Sequence, residues 1–410
     1  MNKRARTRPK RLVSWGVLGS IYLPALLFSI GEGSVIPIAA SRATQLGAPL
    51  ALGSVIAGSL VIGQLLGDIP SGYAVSRFGE RNAMLASTGL SLLAIVLCIV
   101  APNAYVFGLG MLVMGISSAT FGLARHALLT SNVPKLNRAR ALSLLGGVAR
   151  LGLFIGPAIS AVIITHLDIR AVFLVHVVAC LAVVAVLLIL PPPPTVRAPV
   201  IDAAAVMELR DYRGVFLRLG SAVALLSTIR SSKTLMVPLW GLIIGIPPEQ
   251  IAVIASVSAG AELLLFYFSG QLMDRFGRLS SVLPCVIGLT IGHILLPFVH
   301  TPAQLVTLGV VLGLFNGLGS GIVLTLGADI APQHNPAPIL GIWRLFSDGG
   351  AASAPLIIAG IVALSSLAIG TWTVAVLGAA SAVLFGKFVP RYSPAPGKRK
   401  TAIDSVGDVA

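Results

Sequence analysis

Ser71-Gly72-Tyr73-Ala74-Val75-Ser76-Arg77-Phe78-Gly79-Glu80-Arg81 occurs a second time, in altered form, as Ser269-Gly270-Gln271-Leu272-Met273-Asp274-Arg275-Phe276-Gly277-Arg278. Gly72 and Gly270, Arg77 and Arg275, and Gly79 and Gly277 are each 198 residues apart. Both stretches lie between long apolar runs. Each therefore reads as a tight basic turn joining two helices, with glycine where the backbone bends or packs closely. The same interval separates Gly115 from Gly313, Pro134 from Pro332 and Pro157 from Pro355. Several landmarks in one ungapped register mark an internal duplication.

The chain has 410 residues, 56% of them hydrophobic and 10% charged. An ordinary soluble domain carries about 25% charge, and this chain has too little to cover a soluble surface. Apolar runs of about 20 residues recur, each long enough to cross a bilayer as a helix. The run after the basic head (Lys3, Arg4, Arg6, Arg8, Lys10, Arg11) is too long for a cleavable signal, so none is expected. The net charge of +15 does not imply nucleic acid, because the cations are placed asymmetrically. Among the loops, only Arg42 and Arg170 fall on the side opposite the N-terminus. This positive-inside bias puts both termini in the cytoplasm of a multi-pass protein of the inner (plasma) membrane. Cys98, Cys180 and Cys285 lie in separate apolar runs and fit no metal spacing.

The pattern predicts an all-α membrane protein of twelve transmembrane helices in two pseudo-symmetric six-helix bundles. The first six run over about 14–39, 48–75, 82–101, 104–129, 141–165 and 170–190; the second six over about 215–244, 250–273, 280–299, 304–328, 338–362 and 367–388. The expected units are a basic N-terminal tail (1–13), an N-terminal bundle (14–190), a linker (191–214), a C-terminal bundle (215–388) and a C-terminal tail (389–410), with both tails and the linker cytoplasmic. The linker opens with four prolines, and its Asp202, Glu208, Arg210 and Asp211 suit a short surface helix. The break between helices 11 and 12 is expected between Leu364 and Gly370. Two copies of a multi-helix unit are a common build of secondary transporters, with the substrate between the halves.

The repeated turn resembles the signature of the major facilitator superfamily, Gly-x-x-x-Asp-Arg-x-Gly-Arg. Gly270, Asp274, Arg275, Gly277 and Arg278 match it in full. The first copy keeps Gly72, Arg77 and Gly79 but has Ser76 in place of the acid and Glu80-Arg81 after the glycine. The resemblance implies the major facilitator fold and a cytoplasmic latch between the halves, with Asp68 as a substitute for the missing acid. Gly152, Gly156 and Pro157 resemble that family's antiporter motif, with an echo from Gly350 to Pro355. This resemblance implies drug–proton exchange; close helix packing alone also explains the small residues.

Ionisable residues are costly in hydrocarbon and call for a partner, a wet cavity or a task. The expected set is Glu32, Arg125, Arg150, Arg230, Lys233, Glu262, Arg344 and Asp348. All fall on helices 1, 4, 5, 7, 8 and 11, which the resemblance places around the cavity. Glu32 lies roughly 27 Å along its helix and is flanked by Gly31 and Gly33. In a partly dry cavity it suits proton loading and release; a static ion pair with Arg230 or Lys233 is the alternative. Glu262 is a second proton-carrier candidate or a satisfied polar contact. Asp348 is a third candidate, able to pair with Arg150 across the halves or with Arg344 four residues away. Arg125, His126, Arg150, Arg230, Lys233 and Arg344 are candidate substrate contacts.

No phosphate loop, nucleophile elbow or zinc spacing occurs, so no cofactor, metal or enzymatic chemistry is expected. The expected activity is proton-coupled efflux of small amphipathic or lipophilic compounds by a monomer in contact with lipid, protons and substrate, without nucleic acid. Exchange or import of an organic anion or metabolite is the alternative, and a non-transporting receptor or scaffold a remoter one.

Overall fold

The computed structural model describes residues 15–133, 138–190, 212–332 and 337–393. The two tails, Pro134, and most of the linker with Asp202, Glu208, Arg210 and Asp211 lie outside the described residues. Among the described residues, twelve helical spans are long and apolar enough to cross a membrane. They are α1 (Gly19–Gln45), α2 (Leu50–Phe78), α3 (Glu80–Val100), α4 (Ala104–Asn132), α5 (Arg140–His166), α6 (Ile169–Ile189), α7 (Arg213–Ile243), α8 (Pro248–Phe276), α9 (Leu279–Phe298), α10 (Pro302–Ile330), α11 (Ile339–Leu364) and α12 (Leu367–Tyr392). Spans α1–α6 form one bundle and α7–α12 the other, and the two meet where α2 packs on α11 and α5 on α8.

The duplication is visible in the packing. A Cβ on Gly115 would lie 2.0 Å from the Leu60 carbonyl oxygen, and one on Gly313 2.2 Å from that of Ser258. Leu60 and Ser258 are themselves 198 residues apart. Both bundles therefore press α2 on α4, or α8 on α10, at one glycine where no side chain fits. The turns match as well. Gly79 (φ 78°) caps α2 and Gly277 (φ 88°) caps α8, both in the left-handed region that favours glycine. The expectation fails for Gly72 and Gly270. Both sit inside helices, and a Cβ on either would meet nothing within 4 Å. They neither bend the backbone nor admit a neighbour.

Three other details depart from the sequence reading. Span α1 does not stop near residue 39 but tightens into a 3₁₀ turn at Ile36–Ile38 and continues as Ala39–Gln45. Pro37 falls early in that turn, where its missing N–H costs little. Arg42, expected in a loop, is buried there and donates to Gln45. Span α10 is broken, running Pro302–Leu318 and then Ile322–Ile330 across a turn whose Gly321 has φ 81°. The carbonyls freed at the break accept from Ser269 (2.6 Å to Leu318, 2.7 Å to Ser320) and from Arg230 (3.5 Å to Gly319). The α11–α12 break falls inside the expected interval, at Ser365–Ser366, where the Ser366 hydroxyl caps the Ile369 amide at 3.3 Å.

The face bearing the α2–α3 and α8–α9 turns is called the basic face. On the opposite face the outer end of α1 lies against α7 and α8 and covers the space between the bundles.

Candidate functional site: a charged cavity between the bundles

A cavity of about 300 Å³ lies between the two bundles. Its polar wall comes from five helices: Glu32 on α1, Gln64 on α2, Arg150 on α5, Lys233 on α7 and Glu262 on α8. The rest of the lining is aliphatic or small, with no aromatic side chain.

The two glutamates differ in their surroundings. Glu262 is engaged at both oxygens: Oε1 by Arg150 Nε at 3.4 Å, Oε2 by Lys233 Nζ at 3.2 Å and by Asn316 Nδ2 at 2.6 Å. Arg230 Nε donates in turn to Asn316 Oδ1 at 2.7 Å. Glu32 has Ser118 and Arg125 of α4 as its polar neighbours. Its Oε1 is buried and has no hydrogen-bond partner.

These two clusters occupy matching positions. Glu32 and Arg230, Gln64 and Glu262, and Ser118 and Asn316 are each 198 residues apart. Gln64 Nε2 donates to Ser118 Oγ at 3.1 Å, as Asn316 donates to Glu262. One three-helix arrangement is thus built twice with different charge. The first bundle places a lone acid on its leading helix, and the second places a cation there and an engaged acid behind it.

A second charged group lies toward the basic face, on the α2–α11 contact. Arg344 donates from Nη2 to Asp68 Oδ1 at 2.8 Å and from Nε to Asp348 Oδ2 at 2.9 Å. Asp68 is thereby tied to the other bundle. The signature acid Asp274 is exposed and pairs with Arg278 of the same turn at 3.5 Å. Arg278 donates to Asp329 at 2.9 Å; that hydrogen bond, ahead of the nearby acidic charge, raises the guanidinium above its ordinary value. Arg77 donates to the Tyr73 hydroxyl, Arg81 to the Leu187 carbonyl at 2.8 Å, and Arg275 stands over the Phe276 ring at 5.2 Å.

The other expected residues are distributed as follows. Glu32 does not pair with Arg230 or Lys233, because Asn316 and Glu262 hold those cations in their own bundle. Arg150 and Asp348 do not pair, since Glu262 and Arg344 lie closer to each. Arg344 and Asp348 sit on the seam and not on the cavity wall. Arg125 stands over Phe121 beside Glu32, and His126 is exposed on α4 near Arg125 and Arg344. Gly152 and Gly156 pack α5 on α1; their Cβ atoms would lie 2.6 Å from Ser29 Cβ and 2.5 Å from the Ile30 carbonyl oxygen. Pro157 lines the cavity. No group of three metal-ligating side chains occurs among the described residues. Ser118 and Asn316 went unnoticed in the sequence, although the 198-residue interval marks them.

The sequence profile described as Major Facilitator Superfamily matches residues 21–247 and again 219–406. A search of curated protein sequences finds no match. Among solved structures, a D-xylose–proton symporter is similar with a TM-score of 0.72 and 16% identity, over 92% of this chain and 98% of that one. The xylose transporter XylE from E. coli, in a partially occluded inward-open conformation, gives 0.74 and 15%, over 94% and 99%. The nucleoside transporter NupG gives 0.73 and 12%, over 91% and 100%. At these identities the likeness establishes the fold, and the profile establishes descent: the chain is a multi-pass membrane protein with the fold of transporters and belongs to the Major Facilitator Superfamily.

Proposed function

We propose that this chain exports small amphipathic or lipophilic compounds in exchange for protons, by alternating access to the central cavity, with the basic face in the cytoplasm. The observation that carries the reading is the unpartnered buried oxygen of Glu32 on the cavity wall. A carboxyl that exchanges its proton in each cycle needs a neutral and a charged state of similar free energy. Glu262 fails this requirement, because three donors hold it as a carboxylate. Glu32 has one cation nearby and an oxygen left for a proton or a substrate donor.

The antiporter-like glycines support the direction. They seat α5 on the turn of α1 that bears Glu32, so a change at that carboxyl is felt along a helix that crosses to α8. An aliphatic wall suits a lipophilic body. A second reading, exchange of an organic anion, is favoured by Arg150 and Lys233, which keep donors beyond those given to Glu262.

The test is Glu32→Gln in proteoliposomes. Proton-driven efflux is expected to fall at least tenfold while substrate counterflow without a gradient persists. Undiminished proton-driven efflux by that variant removes Glu32 from the mechanism. Counterflow of an organic acid with no gradient dependence in the wild type supports the second reading.

A further inference from the structure

The α2–α11 seam holds a feature that the cavity chemistry does not use. One guanidinium, that of Arg344, serves both the Asp68 carboxyl of α2, at 2.8 Å, and the Asp348 carboxyl of α11, at 2.9 Å. Asp68 Oδ2 is buried with no donor. Two carboxylates gathered on one guanidinium repel each other, and the cheapest relief is a shared proton.

The surrounding charges do not remove the need for one. Arg125 and His126 face the group from α4, and Glu32 stands behind Arg125 on α1. Ser227 of α7 bonds Ser347 beside it, and the cations Lys387 and Arg391 of α12 are turned onto Phe388. Asp68 and Asp348 have the Arg344 guanidinium between them as their contacting cation, and a single proton evens two acids against that one charge.

The matching seam is built otherwise. Phe266 stands where Asp68 does, Gly146 where Arg344 does and Arg150 where Asp348 does, each 198 residues away. Arg150 lies 4.5 Å from the Phe266 ring centroid, and Gly147 admits the ring edge. The carboxyl that Arg150 meets across this α5–α8 contact is the single one of Glu262, at 3.4 Å. Among the described residues, the carboxyl pair belongs to the α2–α11 seam and has no counterpart at α5–α8.

We propose that Asp68 and Asp348 form a second proton-binding site, one that holds a single proton while the bundles are joined at the basic face and releases it to water when they part. The proton bridges an O–H of one carboxyl to an oxygen of the other. Separation of α2 from α11 breaks that bond, and each carboxyl then ionises alone, with Arg344 already 41% exposed and open to water. The carboxyl O–H breaks with its electron pair left on the carboxylate and its proton taken up by water, and it re-forms by proton uptake from the same water on closing. The sign follows from linkage. The joined state binds one proton more, so joining is favoured as pH falls, by about tenfold in the joined-to-parted ratio per pH unit within the titration window. The site goes beyond the role given to Glu32 and does not depend on it.

The test places spin labels at the exposed Ser76 and Gln271 on the two bundles and follows their separation against pH in lipid nanodiscs. The Glu32→Gln background removes the cavity carboxyl. There the joined fraction is expected to rise with falling pH, and Asp348→Asn added to it abolishes that dependence while the Asp68 contact to Arg344 remains. Infrared spectra of the same proteins are expected to lose one protonated-carboxyl band on Asp348→Asn, and likewise on Asp68→Asn. A pH dependence that disappears with Glu32→Gln alone, or survives the double substitution, overturns the proposal. So does an unchanged carboxyl band in both aspartate variants. Loss of transport coupling in Glu32→Gln with the latch titration intact separates this site from the cavity mechanism.

Discussion

Glu262 and Glu32 are both acids in apolar surroundings, and the difference between them is a difference in donors. Glu262 neutralises Arg150 and Lys233 and orients Asn316 toward Arg230. Removing its charge leaves two cations without a counter-ion, which typically costs about 3–5 kcal/mol for a buried pair. Glu262→Gln is therefore expected to lower the thermal midpoint in detergent sharply. Glu32→Gln is expected to lower it less, since one oxygen already lacks a donor. Equal shifts in a thermal melt would contradict the distinction. The identity of the buried acids was legible in the sequence, because a charge inside an apolar run is conspicuous. Their partners were not. Pairing depends on which helix face meets which, and spacing within one chain does not report it: Arg150 is level with Asp348 in the repeat yet binds Glu262.

At the scale of the helices, the glycines divide into those that hold two backbones together and those that do not. Gly313 sits against the Ser258 carbonyl, and Gly270 faces open space. Gly313→Ala is expected to destabilise by about 1–3 kcal/mol through overpacking. Gly270→Ala is expected to be neutral or to stabilise by up to about 1 kcal/mol through helix propensity. Thermal denaturation of both variants checks the contrast, and a loss from Gly270→Ala would show that this motif glycine has a packing role. Span boundaries followed closely from hydropathy, because the bilayer demands a set length of apolar helix. The break in α10 did not, although Gly317, Gly319 and Gly321 mark it in the sequence. Hydropathy does not distinguish a continuous helix from one interrupted by glycines. The extension of α1 beyond Pro37 was hidden for the opposite reason. A proline and an arginine read as a helix end, while tertiary packing buries both.

For the whole molecule, the duplication decided the architecture and was readable from a repeated turn. It also supplies the mechanism's geometry: two similar bundles, unequal in charge, meeting around a cavity at two ionic seams, one of which also stacks Arg150 on the Phe266 ring. The central claim is that the bundles move against each other about that cavity and expose it to one face at a time. Paired distance measurements test it most directly, with labels at Ser76 and Gln271 on the basic face and at Thr44 and Gln250 on the opposite face, all exposed. Across a change of pH or on addition of a transported compound, one distance is predicted to lengthen as the other shortens, each with two populations. Two distances that stay fixed, or that lengthen together, would contradict it.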